Sequence, residues 1–248
     1  MKPALVIVIF LLLAGQLACS RKKSGDANAN ANASGLANAS QAEQSQARAY
    51  LEQGKELYRD DQDEKAVEAF KQAIKSDPEL AEAHFRLGLT FDALGKEQEA
   101  EEAYKTAVKK YKTYLDNNSK DWEAHYNLGQ TYVGLKVYTE AVKEYKQATK
   151  LKEDDADLYY DLGLALSKLA QYDEAVGAFS KSLEIDPENY RAEDALEEAR
   201  EGVKRIRAGK KHQEDLLKKK KNENENSEES SESNATSSPS KANNNRQP

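Results

Sequence analysis

The amino-acid sequence predicts an all-α fold of four helix-turn-helix units followed by a C-terminal capping helix. The main observation is a set of four glycines spaced by 34, 41 and 34 residues: Gly54, Gly88, Gly129 and Gly163. Each glycine is followed twelve residues later by an alanine and sixteen residues later by an aromatic residue. The second observation is composition, because 38% hydrophobic and 33% charged residues exclude one large apolar core over the whole chain. A period of this length indicates stacked helical pairs.

These residues closely resemble the tetratricopeptide repeat (TPR) family over residues 47–189. The resemblance implies a superhelical solenoid with a TPR domain over 41–207, made of repeats 47–80, 81–121, 122–155 and 156–189 and a capping helix at 190–207. The tryptophan that the family often has four residues before each glycine is replaced here by Tyr50, His84, His125 and Tyr159. None of these replacements interrupts the helical pattern.

The glycine and the alanine of each repeat predict a close approach of two antiparallel helices. A larger pair of residues would push the helix axes beyond their usual separation of about 8–10 Å. We therefore expect each glycine to face the alanine of its repeat. The aromatic residue is then expected to fill the space toward the next repeat.

Local signals predict where the first and last helices of the array begin. Ser40 and Glu43 form a capping box, so the first helix is expected to begin near Gln41. After the fourth repeat, apolar residues recur at three- and four-residue steps over 192–206, which predicts an amphipathic capping helix. Two prolines, Pro78 and Pro187, close the first and fourth repeats.

The residue before each of these prolines is an aspartate, Asp77 or Asp186. Aspartate is a favourable N-cap residue, and proline is tolerated in the first turn of a helix. We therefore expect each aspartate to cap the helix that follows it.

The 41-residue spacing places seven extra residues in the second repeat. They lengthen its second helix to about Glu97–Asp116, and an insertion close to two helical turns keeps the apolar face in phase. Two interpretations stay open. The insertion is either an elongated core helix packed on Trp122 and the next repeat, or a ledge that shapes a partner surface.

The N-terminus has the pattern of a secretory signal. Met1 and Lys2 precede an apolar run over 4–14, which at 11 residues is too short to span a bilayer. We therefore expect residues 1–18 to be a signal peptide.

Cys19 is the only cysteine of the chain, so no internal disulfide can form. Its position after Leu17-Ala18 and before Ser20 resembles the lipobox of bacterial lipoproteins, although Gln16 departs from the aliphatic residue preferred there. The resemblance implies lipidation of Cys19, anchoring to a membrane and, from Ser20, localisation at the periplasmic face of the outer membrane. The alternative is an incidental cysteine in a signal peptide that is cut elsewhere or retained as an anchor.

Polar segments flank the TPR domain. Residues 19–40, which begin with the cysteine predicted to be lipidated, alternate alanine with asparagine over 27–33, and we expect them to form a flexible tether. Residues 208–248 form a charged tail that is expected to be largely disordered. Ten basic and three acidic residues lie between Arg200 and Lys221, so this segment is locally basic within a chain of net charge −7.

The sequence shows no pattern typical of catalysis. Its three histidines have no metal-ligand spacing, and it contains no Gly-rich phosphate loop, nucleophile elbow or HExxH motif. We therefore expect no enzymatic activity, no cofactor and no metal. A net charge of −7 and a pI near 5.3 also argue against nucleic acid as a partner.

In TPR proteins the first helices of successive repeats line a groove, usually through residues three places before and one place after the glycine. Carried onto this chain, the resemblance implies a groove lined by Leu51, Lys55, Phe85, Leu89, Tyr126, Gln130, Tyr160 and Leu164. The lysine and asparagine set of the family's carboxylate clamp is absent. This apolar and aromatic strip is suited to an extended segment or an amphipathic helix of a protein partner.

We therefore expect a non-catalytic adaptor, exported and lipid-anchored, that binds an envelope protein through this groove. The alternative is a structural protein that contacts anionic cell-wall or lipid groups through its basic C-terminal segment. The residues imply no particular oligomeric state.

Replacing Cys19 by serine tests the predicted anchor. In cells grown with a tagged fatty acid, we expect label on the protein and its complete loss in Cys19→Ser, because the thiol is the site of acylation. In-gel detection of the label measures this, and Ser20→Ala is the control that keeps the thiol. Labelling that survives the loss of the thiol contradicts the lipoprotein prediction.

Overall fold

The computed structural model describes the backbone of residues 24–235 and the side chains of residues 40–225. Within those limits the chain forms nine α-helices and no β-strand. The helices are α1 (Ser24–Arg59), α2 (Asp63–Ser76), α3 (Ala81–Ala93), α4 (Glu97–Asn117), α5 (Trp122–Gly134), α6 (Tyr138–Leu151), α7 (Ala156–Lys168), α8 (Tyr172–Ile185) and α9 (Tyr190–Ala235). The predicted all-α fold is confirmed.

The helices belong to two compact bodies, each described by itself. The N-terminal body ends at Glu144 and the C-terminal body begins at Tyr145, so the division falls within α6. In the N-terminal body α1 packs on α2, α2 on α3, α3 on α4, and α4 on α5. In the C-terminal body α8 packs on both α7 and α9. Each helix therefore contacts chiefly its neighbours in sequence, as in a repeat array.

A glycine on the first helix of a repeat lies directly against the aromatic ring of the second helix. A Cβ atom on Gly54 would lie 2.5 Å from the Phe70 ring, and a Cβ atom on Gly163 would lie 2.5 Å from the Phe179 ring. Both rings are fully buried. This corrects the expectation that the glycine faces the alanine. The absent Cβ makes room for a flat ring, which covers more of the glycine backbone than an alanine methyl group can.

Tyr104 of α4 shows that one ring can join two repeats. A Cβ atom on Gly88 of α3 would lie 2.6 Å from the Tyr104 ring, and one on Gly134 of α5 would lie 2.7 Å from its other edge. The hydroxyl donates to Asp92 at 2.7 Å. The ring therefore packs against its own repeat and against the next one, which agrees with the expected role of the aromatic position.

Aspartates cap two of the first helices, but at other positions than those predicted. Asp121 accepts from the backbone N–H of Ala124 at 3.1 Å at the start of α5. Asp155 accepts from two N–H groups at the start of α7. Asp77 and Asp186 instead accept from the N–H two residues further along, and each ends the preceding helix. They hold turns around the prolines, because the next helix begins only three residues after the proline.

Helices α1 and α9 extend beyond the predicted array. The structure differs here from the expected tether and tail, since α1 begins at Ser24 and α9 continues to Ala235. Residues 24–39 are rich in alanine and contain no proline, and prolines are likewise absent from 188–238. Alanine is the best helix former, so the helix runs through the predicted capping box at Ser40. The predicted signal peptide and Cys19 lie outside the described residues.

The insertion of the second repeat lengthens α4 without interrupting it. This helix has 21 residues, whereas α2, α6 and α8 have 14 each. Its added turns bury Tyr111 and Leu115 but leave Tyr114 exposed. Among the helices that the structure describes, none combines the length and hydropathy that a membrane crossing requires.

Two glycine substitutions test the importance of the ring contact. Gly88→Ala is expected to lower the free energy of unfolding by about 1–3 kcal/mol, because its Cβ overlaps the Tyr104 ring. The matched control is Gly177→Ala in α8, where nothing lies within 4 Å of the new Cβ. We expect this change to stabilise the protein by about 0.4–1 kcal/mol through the unfolded state. Urea unfolding followed by circular dichroism measures both, and equal effects would contradict the contact.

Candidate partner-binding surface

Two of the predicted groove residues lie in the core. Leu51 is buried with Ala66 and Phe70, and Phe85 is only 1% exposed. The Phe85 ring lies 6.3 Å from that of Tyr104, measured between centroids. The prediction that these two residues line an open groove is therefore wrong. A residue three places before the glycine shares its helix face, so it points toward the second helix of the repeat.

Lys55 and Leu89 do line an open recess, here called the Lys55 recess. Its volume is about 240 Å³, and it is lined by Lys55, Tyr58, Arg59, Phe70, Arg86 and Leu89. Glu82 joins its two sides, because it lies 3.2 Å from the Lys55 ammonium and 3.3 Å from the Arg86 guanidinium. Burial alone would lower the pKa of Lys55, but Glu52 and Glu82 raise it above its ordinary value. The lysine is therefore charged at neutral pH.

The groove residues of the third repeat form a bonded pair. Gln130 donates from Nε2 to the Tyr126 hydroxyl at 2.8 Å, and both side chains are half-buried on α5. The pair therefore presents a fixed polar surface within the predicted apolar and aromatic strip.

In the C-terminal body, the predicted residues Tyr160 and Leu164 differ in exposure. The centroids of the Tyr160 and Phe179 rings lie 5.9 Å apart. The Arg191 guanidinium lies over the Tyr160 ring, 4.8 Å from its centroid. Arg191 is also held by Asp157 at 3.2 Å. Leu164 is exposed. Tyr160 is thus half-buried beneath an arginine of α9, and Leu164 is the more accessible of the two.

A larger recess in the N-terminal body, here called the Tyr111 cleft, was not predicted. Its volume is about 560 Å³. It is lined by Gln44, Arg48, Asp77, Glu79, Leu80, Ala81, Glu82, Tyr111, Tyr114, Asp121, Glu123, Ala124 and Asn127. The two tyrosines come from the turns that the insertion adds to α4. The insertion is therefore a core helix, as the first interpretation expected, and its added turns also line this cleft. The second interpretation, a ledge that shapes a partner surface, stays a prediction.

The lining of the Tyr111 cleft is predominantly acidic, with five carboxylates and one arginine. Lys110 donates to Glu79, and the Tyr114 hydroxyl donates to Asp121 at 2.8 Å. Within the described side chains Glu123 forms no hydrogen bond or ion pair. The cleft therefore keeps uncompensated negative charge on the side that α5 contributes.

The Tyr111 side chain is the buried part of the cleft lining. The residue is 4% exposed, and its hydroxyl oxygen is closed to solvent, with the Asn127 side chain as its hydrogen-bonding neighbour. Burial raises the pKa of Tyr111 well above its ordinary value, and Glu82 raises it further, while Arg86 and Asn127 act in the opposite direction. The group is therefore neutral, and it contributes to the cleft through the buried ring and not through an accessible polar atom.

Sequence reasoning missed this cleft although it identified the insertion. The apolar stripe of α4 assigned Tyr111 to the core, where its ring does lie. The sequence did contain two signals, namely the acidic residues in the loops that precede α3 and α5 and the tyrosines of the insertion. Neither signal shows by itself that the two loops and the end of α4 lie close together in the fold.

The two histidines of the replaced tryptophan position act alike. Nε2 of His84 lies 3.1 Å from the Pro78 carbonyl, and Nε2 of His125 lies 3.2 Å from the Ser119 carbonyl. Each imidazole thus ties its helix to the turn six residues earlier. In the part of the chain that the structure describes, no group of three or more possible metal-ligating side chains comes together.

Family models match three stretches of the chain. A model described as TPR repeat matches residues 137–170, and two described as tetratricopeptide repeat match residues 46–113 and 156–189. The chain therefore contains tetratricopeptide repeats, and the prediction from the glycine spacing is confirmed. No curated protein sequence matches the chain.

Solved structures share the fold. The chain is similar to the structure from the functional characterisation of Pseudomonas aeruginosa pilF, with 23% identity, 64% of this chain and 72% of that chain covered, and a TM-score of 0.50. It is also similar to MamA AMB-1, with 21% identity, 63% of this chain and 88% of that chain covered, and a TM-score of 0.50. A crystal structure of MamA protein has 26% identity, with 64% of this chain and 82% of that chain covered and a TM-score of 0.48. The likenesses to pilF and MamA AMB-1 confirm the predicted TPR solenoid fold.

Lowering the pH is expected to destabilise the protein through His84. Burial lowers the pKa of His84 below its ordinary value of 6.5, and Lys110 acts in the same direction, while the Pro78 carbonyl and Glu79 oppose it. The fold thus favours the neutral imidazole, so stability is fully present above about pH 6.5 and decreases as the pH falls toward the lowered pKa.

The measurement compares urea midpoints at neutral and mildly acidic pH for the natural chain and His84→Gln. We expect the variant to lose less stability on acidification, because glutamine does not titrate. An equal loss in both proteins would assign the pH dependence to other groups.

Proposed function

We propose that this protein is an exported, lipid-anchored adaptor that binds an envelope protein through its TPR surface and catalyses no reaction. TPR proteins are generally non-catalytic interaction modules and commonly bind protein partners. The observation that supports the proposal most directly is the Lys55 recess, which opens between α1 and α3 and contains two of the predicted groove residues.

The chemistry of the recess suits a peptide-like partner. Tyr58 and Leu89 provide aromatic and aliphatic surface above the buried Phe70 ring, while Lys55 and Arg86 provide fixed N–H donors. Glu82 holds both cations in place, so little side-chain entropy is lost when a partner accepts from them. An extended segment or an amphipathic helix that carries one apolar residue and one acceptor group fits this arrangement.

The N-terminal sequence supports the location that we propose. An apolar run of 11 residues precedes Cys19, which stands where bacterial lipoproteins are acylated. Several acyl chains on this cysteine would hold the adaptor at the periplasmic face of the outer membrane, because one chain alone gives only marginal binding. The alternative, contact with anionic cell-wall or lipid groups through the basic segment, stays a prediction that the next experiments separate from partner binding.

Leu89→Glu tests the recess. We expect the variant to lose co-purification of the partner at least about tenfold, because a carboxylate replaces the apolar surface and repels an acceptor group. The matched control is Val137→Glu, which changes an exposed apolar residue outside the recess. Phe85 is unsuitable for this test because it is buried, so a polar replacement there would destabilise the fold.

Quantitative mass spectrometry of captured proteins gives the readout, and circular dichroism verifies the helical content of each variant. Equal capture by both variants and the natural chain would contradict binding at the recess. Equal capture that is lost on deletion of residues 209–248 would favour the basic segment.

A further inference from the structure

The charged part of the Lys55 recess lining is cationic. It consists of Lys55, Arg59 and Arg86, and none of the described residues that line the recess is a carboxylate. Tyr58 and Leu89, both half-buried, supply accessible apolar surface beside these cations. The volume of about 240 Å³ is smaller than that of a typical small-molecule pocket, so the recess suits side chains of an inserted segment.

Glu82 neutralises the cations of the recess only in part. Its Oε1 atom accepts from the Lys55 ammonium at 3.2 Å and from Nε and Nη2 of Arg86 at 3.3 Å. Lys55 also donates to Glu52 at 2.9 Å, which leaves one of its three N–H donors. Nη1 of Arg86 forms no hydrogen bond or ion pair in the part of the chain that the structure describes. Each of these two cations therefore keeps a donor for a further acceptor.

Arg59 is the most exposed cation of the recess, with a side chain that is 72% exposed. Its guanidinium lies 4.0 Å from Glu56, at the outer limit of an ion pair, and its Nε donates to the Lys55 carbonyl at 3.5 Å. Exposed ion pairs of this length contribute little free energy, so Arg59 can bind another acceptor at little cost. The recess thus presents spare donors on three cations next to apolar surface.

We propose that the Lys55 recess selects an internal segment of the partner in which an aspartate or glutamate stands beside an aliphatic residue. The aliphatic side chain packs on Leu89 and Tyr58, and the carboxylate accepts from the spare donors of the cations. Glu82 is a specificity residue in this arrangement. Because its carboxylate already contacts Lys55 and Arg86, it repels the incoming carboxylate, so an acidic segment without the apolar contact binds weakly.

This inference rests on the proposed function, because it concerns a segment bound at the same recess. It adds the chemical class of the segment and the role of Glu82. Partner capture that depends on Leu89 tests the proposed function, whereas selectivity among peptides tests the inference. Capture that is lost in Leu89→Glu, together with no acidic preference among peptides, would contradict the inference alone.

Fluorescence anisotropy with short labelled peptides and the full chain tests the selection. One peptide, capped at both ends, carries a Leu-Glu step in a Gly-Ser background, and its partner carries Leu-Gln. We expect the acidic peptide to bind at least about fivefold more tightly, with an affinity that falls on addition of salt. A third peptide carries Leu and a free C-terminal carboxylate but no acidic side chain. Equal binding of the first two, binding of neither, or tighter binding of the third would overturn the proposal.

Glu82→Gln separates competition from a purely structural role. We expect the variant to bind the acidic peptide about three- to tenfold more tightly at low ionic strength, because a negative charge near the bound carboxylate is removed. Binding of the amide peptide should stay as in the natural chain. If Glu82 served only to hold the cations in place, the variant would bind both peptides less tightly. The matched control is Glu101→Gln, which removes the acidic member of another i, i+4 ion pair, outside the recess.

Arg59→Gln tests the cationic side of the recess. Because its side chain is largely exposed, we expect an unchanged thermal unfolding midpoint and about threefold weaker binding of the acidic peptide. Lys71→Gln is the matched control, since it removes an exposed cation of α2 that does not line the recess. Undiminished binding in Arg59→Gln, or binding in Glu82→Gln no tighter than in the natural chain, would overturn the proposal.

Discussion

The contact between a glycine and an aromatic ring sets the spacing of the helices within the repeats. Gly54, Gly88 and Gly163 each have a ring in the volume that a Cβ atom would occupy. This fixes how closely the two helices approach and therefore which neighbouring side chains stay accessible. Lys55 and Leu89 each follow such a glycine by one residue. They line the recess because the glycine before each of them packs against the aromatic ring of its repeat, which directs the next side chain away from that ring.

The insertion in α4 shows how a repeat can gain a new surface without losing its core. Seven residues add two turns that continue the buried face through Tyr111 and Leu115. The same turns place Tyr111 and Tyr114 in the lining of a cleft that residues of α3 and α5 also line. The cleft that results has a lining unlike that of the recess, since it is rich in carboxylates. One chain thus presents two recesses of different chemistry.

Most of the fold could be predicted from the sequence, because the repeat pattern depends on contacts between residues close along the chain. Gly88 and Tyr104 are sixteen positions apart, and the helix length of α4 follows directly from the spacing of glycines. The site was harder to predict. Phe85 was assigned to the groove by family position, although its helix face is that of Gly88. The Tyr111 cleft depends on the meeting of segments that are more than seventy residues apart, and no periodicity encodes that convergence.

Helix α1 has a consequence for how the array is presented to its surroundings. Its backbone is helical from Ser24, seventeen residues before Gln41, where the capping box predicted the start. A helix of this extra length acts as a stiff spacer of about 25 Å, whereas the ends of a coil of the same length would lie at a broad range of distances. For a chain anchored at Cys19 as we propose, a stiff spacer narrows the volume that the first repeat samples around the anchor. The local concentration of the repeats at that distance rises accordingly, and partners nearer or further away are reached less often.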